Sequence, residues 1–379
     1  MYWNRSYIEK DLSLGATSGT KTIDLPKSAL ISEVLLRFTA TNGSNQNRAN
    51  HIHDKISKIE VIVNGSEVVK SLTGVEVQAL AFFSTGQFPL DWTCEDAASV
   101  QWDTFLVLFG RYPGDLKYML DTSKVLNPQL KITWDTSGAG PDSTDLFSTS
   151  TYPVIDVSVM QLMDGAGISP VGYFKSHEIT TWDPSANSEV KRVELPVGNK
   201  YRRLVVRIFS NGYWQHQRLA NAYLDLNVGA RQPFKMDTEE WLAMNRQLVG
   251  RPSKSMLMSV HGNSKLFKTE FGNTLGSSFL ALGGDKSILC VGGSGNGWTL
   301  LVWDETNSVI YNGNVSAYWT YFGDAYHHCQ FIPFDLPDDS FMLDSSEWSD
   351  VDLVLEAAAG GISTISPEIR VVLEELIKK

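Results

Sequence analysis

"MLDTS" occupies Met119–Ser123, and "MLDSS" returns at Met342–Ser346. One match of five residues is weak evidence of anything, so its meaning depends on whether the flanking sequence repeats in the same order. It does. Upstream, "IDLPKSALISEVLLRF" (Ile23–Phe38) aligns with "VELPVGNKYRRLVVRIF" (Val193–Phe209), placing Arg37 on Arg207. Next, "IEVIVNGSEVVKSLTGVEVQAL" (Ile59–Leu80) aligns with "LDLNVGARQPFKMDTEEWLAM" (Leu224–Met244), and after the opening phrase "TYPVIDVSVMQLM" (Thr151–Met163) aligns with "ISPEIRVVLEELI" (Ile365–Ile377). The offsets of the four anchors in chain order are 170, 164, 223 and 214. Four collinear anchors imply an internal duplication, with Leu25 on Leu195, Gly65 on Gly229 and Asp121 on Asp344. The jump in offset places one large insertion, about Gly250–Pro337, in the second copy.

Both copies read as β. Period-two alternation bounded by turn residues marks Ala29–Gly43, Ile56–Gly65, Gln129–Asp135, Pro153–Met163, Arg202–Ser210, Ala222–Gly229 and Val351–Ala358 as strands. Helical patterns are short, one per half: Ser71–Phe83, and Met236–Leu248 with Asp237 or Thr238 as its N-cap. About eight strands and a helix per copy suit a two-sheet antiparallel sandwich, and a jelly roll leads. The expected division is a first jelly roll over 1–168 and a second over 169–379.

At 379 residues the chain exceeds what one hydrophobic core of about 250–300 residues accommodates, which agrees with two domains. Hydrophobic residues at 42% and aromatics at 11% suit a packed globule without a disordered tail. A net charge of −11 and no Lys/Arg run argue against a protein that grips a phosphate backbone. No signal peptide or membrane span is read, so the expectation is a soluble chain made in the cytosol. Cys94, Cys290 and Cys329 are odd in number and scattered, as reduced structural cysteines are. The sequons at Asn4, Asn42, Asn64 and Asn314 are short enough to arise by chance.

Two tandem jelly rolls, each with a helix after its fourth strand and one with an enlarged insertion, resemble the double jelly-roll major capsid proteins of tailless icosahedral viruses. That lineage includes the adenovirus hexon and the coat proteins of membrane-containing phages. The resemblance covers about Lys21–Lys379 and is one of architecture; no diagnostic motif carries it. It implies a homotrimer whose six rolls form a pseudo-hexagonal capsomer, with strands upright in an icosahedral shell. It further implies contacts with neighbouring capsomers and with minor capsid or penton proteins, an internal viral membrane beneath, and residence in the virion after synthesis in the host cytoplasm. The alternative is a carbohydrate-active enzyme or lectin built from two jelly rolls.

No catalytic, cofactor or metal residue is assigned. His51–His53 lacks the carboxylate spacing of a cupin and reads as a pair of loop histidines. His327–Cys329 reads as a strand segment whose adjacent side chains diverge. Gly292–Gly297 lacks the Lys-Ser/Thr of a phosphate loop and leads through Trp298 into a strand. Asp237, Glu239 and Glu240 read as helix-start acids, and Asp335, Asp338 and Asp339 as loop acids. Trp298, Trp303 and Trp319, with Tyr311, Tyr318 and Tyr321, read as the core of a small β-rich subdomain in the insertion, which is also the candidate for host-receptor or glycan contact.

Overall fold

The computed structural model describes residues 1–378 except 46, 48–49, 94–95, 140–145, 166, 210–212, 261–264, 284–285, 293–297, 302–314 and 361–367. Side chains of 256–260, 265–267, 277, 279–283, 286–292, 298–301 and 315–317 also lie outside the described set.

Alternation of apolar and polar residues builds the first sandwich. In Gln129–Asp135, Leu130, Ile132 and Trp134 are buried between partners that face outward, the period of a half-buried strand. One sheet orders Tyr2–Ser13, Val154–Met163, Leu30–Thr41 and Val100–Leu108, with Asp91–Trp92 at its edge. The facing strands run Ser18–Asp24, Gln129–Asp135, Ile56–Val63, Glu67–Leu72. Leu36, Phe38, Ile59, Val61, Phe105 and Val157 fill the space between them. This order of eight antiparallel strands is the jelly roll.

The second copy repeats it. Gly172–Trp182, Glu368–Lys378, Lys200–Phe209 and Cys329–Pro333 form one face, and Val190–Glu194, Val351–Ala357, Leu219–Leu226 and Arg231–Asp237 the other. Leu204, Val206, Leu224, Trp241 and Leu353 belong to its separate core. Among the described residues the α-helices are α1 (Ile52–Lys55), α2 (Gly74–Thr85) and α3 (Thr238–Val249). Caps fix the starts of the two longer ones a few residues later than periodicity alone suggests. Thr73 and Glu76 form a reciprocal capping box on α2, and Asp237 accepts the Glu240 amide at 2.7 Å on α3. Asn245 of α3 pairs with both backbone groups of Phe331 at 2.8 Å, so the helix covers an edge strand that would otherwise offer open hydrogen-bonding groups.

The repeated phrase is a repeated structure. Asp121 accepts the Ser123 amide at 3.0 Å and Asp344 accepts the Ser346 amide at 3.2 Å, each opening a single 3-10 turn. Leu120–Asp121 pairs with Leu30 and Ile31, and Leu343–Asp344 with Lys200 and Tyr201. The hydroxyl that follows has the same task twice: Thr122 bonds the Ala29 amide at 2.8 Å, and Ser345 bonds the Gly198 amide at 2.9 Å. Leu25 and Leu195 each follow the second strand of their roll, and Gly65 and Gly229 sit at positive φ in the same turn. Beside them Asn64 and Asn227 are a further matched pair, whose side chains accept the Leu126 amide at 2.8 Å and the Ser349 amide at 3.0 Å.

Several strands escaped the sequence reading, Val100–Leu108 and the two opening strands among them. Tyr2–Ser13 and Gly172–Trp182 each open a roll. The first is a sheet edge whose residues are all exposed or half-buried, so its alternation is blurred. The insertion begins after α3 as read, but Cys329–Pro333 pairs with Lys200–Phe209 and is the roll's own strand, lying inside 250–337. The added chain contributes a four-stranded sheet ordered Ser253–Val260, Val315–Tyr326, Phe271–Gly283, Lys286–Gly292, and a two-stranded ribbon of Lys265–Lys268 with Trp298–Leu301. The "SVIYNGN" segment lies outside the described residues.

Alanine at Asp121 or at Asp344 is expected to lower stability by about 1 kcal/mol, the worth of a capping carboxylate, and by similar amounts at the two sites. Urea unfolding of both variants checks this; a large cost at one site and none at the other would contradict their equivalence.

Candidate functional site: the joint between the rolls and the insertion

The rolls share a sheet. Glu67–Leu72 of the first pairs in parallel with Gly172–Trp182 of the second, Ser176 opposite Lys70 and His177 opposite Ser71, making nine strands continuous. Both strands run toward the insertion end, so the rolls stand side by side with the same polarity. The register buries Lys70 in the seam, where its Nζ donates to Ser176 Oγ at 2.8 Å. Ser176 Oγ donates to Glu374 Oε2 at 3.0 Å, and Arg202 donates to Glu374 Oε1 at 2.7 Å and to Asp335 at 2.8 Å. Burial pulls the Lys70 ammonium down to about 8 against the attraction of Glu374. Burial would raise Glu374, but Arg202, Arg203 and Lys70 outweigh it and hold the carboxyl at about 2.

A second buried network fastens the insertion to the first roll. Lys254 donates to Asp91 at 2.6 Å and to both oxygens of Glu270 at 2.8 Å. Lys268 pairs with Asp54 of α1, and His327 Nε2 meets Gln78 Oε1 of α2 at 2.7 Å. Gln78 also donates to the Thr104 carbonyl, so α2 links the insertion's foot to the first roll's sheet. Phe271, Tyr321 and Tyr326 are buried around this network.

The histidines read as loop or strand residues are core residues. His51 and His53 are buried and stacked with ring centroids 5.2 Å apart, and His53 lies 4.6 Å from His327. His327 and His328 do not lie in a strand: both adopt positive φ in the two-residue turn between Val315–Tyr326 and Cys329–Pro333. Asp103 meets His53 Nδ1 at 3.1 Å, and with Asp54 it raises that imidazole's pKa against the opposing effect of burial. Burial pushes His51 down to about 4 and drives His327 and His328 well below the ordinary imidazole range. Among the described residues no group of three or more His, Cys, Asp or Glu is arranged to hold a metal ion.

The remaining candidates are dispersed. Asp237 caps α3, and exposed Glu239 faces His216 at 3.4 Å. Asp335 pairs with Arg202, Asp338 caps a 3-10 turn, and Asp339 pairs with Lys117 at 2.6 Å. Trp319 and Tyr321 are buried and Tyr318 is exposed, while Trp303 and Tyr311 and the side chain of Trp298 lie outside the described set. Gly292 ends a strand, and 293–297 are not described. Cys329 is a buried free thiol pushed up to about 12 by burial; Cys94 and the Cys290 side chain are not described. Asn42 is buried, Asn64 holds its turn, and Asn314 is not described. Sequence reasoning missed Lys70, Asp91, Arg202, Lys254, Glu270 and Glu374. The one available signal was apolar strand context around a charge.

No family model matches the chain, and no curated protein matches it. Solved structures match its fold end to end. The major capsid protein of Sulfolobus turreted icosahedral virus aligns with TM-score 0.58 and 11% identity over 99% of this chain and 97% of its own. The PBCV-1 virus capsid protein aligns with TM-score 0.57 and 9% identity over 98% and 92%. The major capsid protein of bacteriophage PM2 aligns with TM-score 0.52 and 10% identity over 100% and 98%. The fold is therefore the double jelly roll of viral major capsid proteins.

Burial that keeps His51, His327 and His328 neutral is expected to make the joint acid-labile. Folded His51 stays neutral down to about pH 4, whereas an unfolded histidine takes its proton near 6.5. The contribution is thus complete above about pH 6.5 and is lost as pH falls toward 4, amounting to about 3 kcal/mol for this ring. Urea unfolding across that window is expected to show a shallower decline for His51→Phe than for the parent. Identical slopes would contradict the assignment.

Proposed function

We propose that the chain is a viral major capsid protein that self-assembles as pseudo-hexameric trimers tiling an icosahedral shell. The observation that carries this reading is two jelly rolls of like polarity fused through one sheet, with the insertion rooted at one end of the pair. Three such chains present six similar edges, which approximates six-fold lateral contact while each capsomer keeps closed three-fold symmetry. On this reading the division is a first roll over 1–168 and a second over 169–379. The activity is assembly, and the protein has a structural role in the virion.

The two ends of the molecule support different partners. Strand polarity puts the insertion and α2 at one end, and the start of Tyr2–Ser13 and the close of Glu368–Lys378 at the other. The base end exposes apolar side chains in several loops: Leu126 is 73% exposed, Val228 79% and Phe341 60%. Scattered exposed apolar residues are normal, and others such as Leu90 and Tyr318 lie at the insertion end, but the three at the base suit contact with minor capsid proteins or an internal membrane. Among the described residues no helix is long and apolar enough to cross a membrane. The insertion end faces outward and offers the surface for host-receptor or glycan contact.

The purified protein is expected to be a trimer by solution mass measurement, with an interface of obligate size; a monomer at micromolar concentration, indifferent to salt and pH, would overturn the proposal. Ala281 pairs with Ala317 and Phe279 with Trp319, so replacing 284–314 with a two-residue turn leaves the paired strands joined. That variant is expected to keep its trimers and particles and lose attachment to cells. Removing 251–328 strips partners from Asp91, Asp54 and Gln78 and is expected to abolish folding.

A further inference from the structure

We propose that Lys254 and Asp91 condense spontaneously into an intramolecular amide, with Glu270 as the proton-transferring residue, so that a covalent bond ties the insertion to the first roll. The contacts are those such a reaction needs. Lys254 Nζ lies 2.6 Å from Asp91 Oδ2 and 2.8 Å from each Glu270 oxygen. The three side chains are only 8%, 10% and 4% exposed, respectively for Lys254, Asp91 and Glu270. Tyr321, Tyr326 and Phe271 are buried beside them, and Phe88 packs on Tyr326 at 5.0 Å. Apolar rings exclude the bulk water that would favour separate ions and hydrolysis, and fixed contact replaces a bimolecular encounter with a unimolecular one.

The step balances without a co-reactant. Glu270 removes one proton from the Lys254 ammonium, and the freed lone pair attacks Cγ of Asp91, forming the N–C bond. The nitrogen sheds a second proton. That proton and the one held by Glu270 pass to a carboxyl oxygen of Asp91, whose C–O bond breaks to release water. One hydrogen stays on the amide nitrogen, and Glu270 ends as the carboxylate it began.

Electrostatics set the pace. Burial opposes the charge on Lys254, but Asp91 and Glu270 overcome it and keep the ammonium protonated at rest, so transfer to Glu270 must precede attack. Burial pushes Asp91 up to about 6 despite Lys254, with Glu270 and Asp103 adding to the rise, which brings the more electrophilic acid form within reach near neutrality. From that form the carboxyl's own proton and the nitrogen's second proton leave in the water, and the proton held by Glu270 passes to solvent. The reaction is a slow single turnover after folding. It concerns the folded chain itself and does not rest on the capsid reading.

Intact mass spectrometry of the denatured full-length protein tests it, with Lys254→Arg and Glu270→Gln purified alongside and their folding checked by circular dichroism. The parent is expected to be lighter than its sequence by one water, and a peptide map to show a branched species joining the Asp91 and Lys254 segments. Both variants are expected to fold and to keep the full mass. A folded parent that retains the full sequence mass after prolonged incubation at neutral pH overturns the proposal, as does a water loss mapped elsewhere. Retention of the branched species in Glu270→Gln overturns the role given to Glu270.

Discussion

Everything above the single roll depends on a parallel seam, Ser176 against Lys70, His177 against Ser71 and, further along, Gly172 against Tyr118. A jelly roll is otherwise antiparallel, and its sheets end in edges. At this edge the next strand of the chain adds in parallel, and a parallel neighbour must point the same way. Both copies therefore stand with their insertion-side loops up and their termini down. An antiparallel junction would have inverted the second roll and put the insertion beside the termini.

The seam is polar where an apolar one would be cheaper. Burying an ammonium and a carboxylate costs several kcal/mol per ion, and an apolar replacement of a buried ion pair is often neutral or stabilising. What Lys70, Ser176, Glu374 and Arg202 supply is register: slipping one strand by a residue would turn Lys70 to the other face and leave Glu374 without one of its partners. Hydrophobic contact alone tolerates such slippage. A chain built from two similar rolls has more wrong pairings open to it than most, so directional groups at the seam between sheets discriminate where area cannot.

The duplication was legible because it is written in turns. Asp121 and Asp344, Thr122 and Ser345, and Gly65 and Gly229 are constrained by local hydrogen bonds and φ, and such constraints leave the same letters in both copies. Strands leave only a pattern, since any apolar residue of fitting size serves at Leu36 or Leu204. Tyr2–Ser13 left not even that, because an edge strand presents half-exposed residues on both faces. The joint was illegible for a different reason. Asp91, Lys254 and Glu270 are far apart in sequence and each looks like a surface charge until the fold brings them together. His51–His53 and His327–Cys329 attracted notice as ligands, yet what unites them is the covering of α1 and α2 by the insertion's foot.

That foot explains where a large addition can enter a roll without disrupting it. The segment joining the fifth and sixth strands of a jelly roll already carries a helix that roofs the sandwich, so chain added there starts from covered ground. In the second copy α3 keeps its roofing role through Trp241 and Asn245, which bond the Phe331 carbonyl at 2.9 and 2.8 Å. The added strands lean on α3 and also on the neighbouring roll, through Lys254 to Asp91, Lys268 to Asp54 of α1 and His327 to Gln78 of α2. A tower resting on both rolls resists rocking in a way that one hinged on a single loop cannot. The same contacts brace the two rolls against each other at the end opposite the termini, so the insertion that elaborates the surface also completes the frame beneath it.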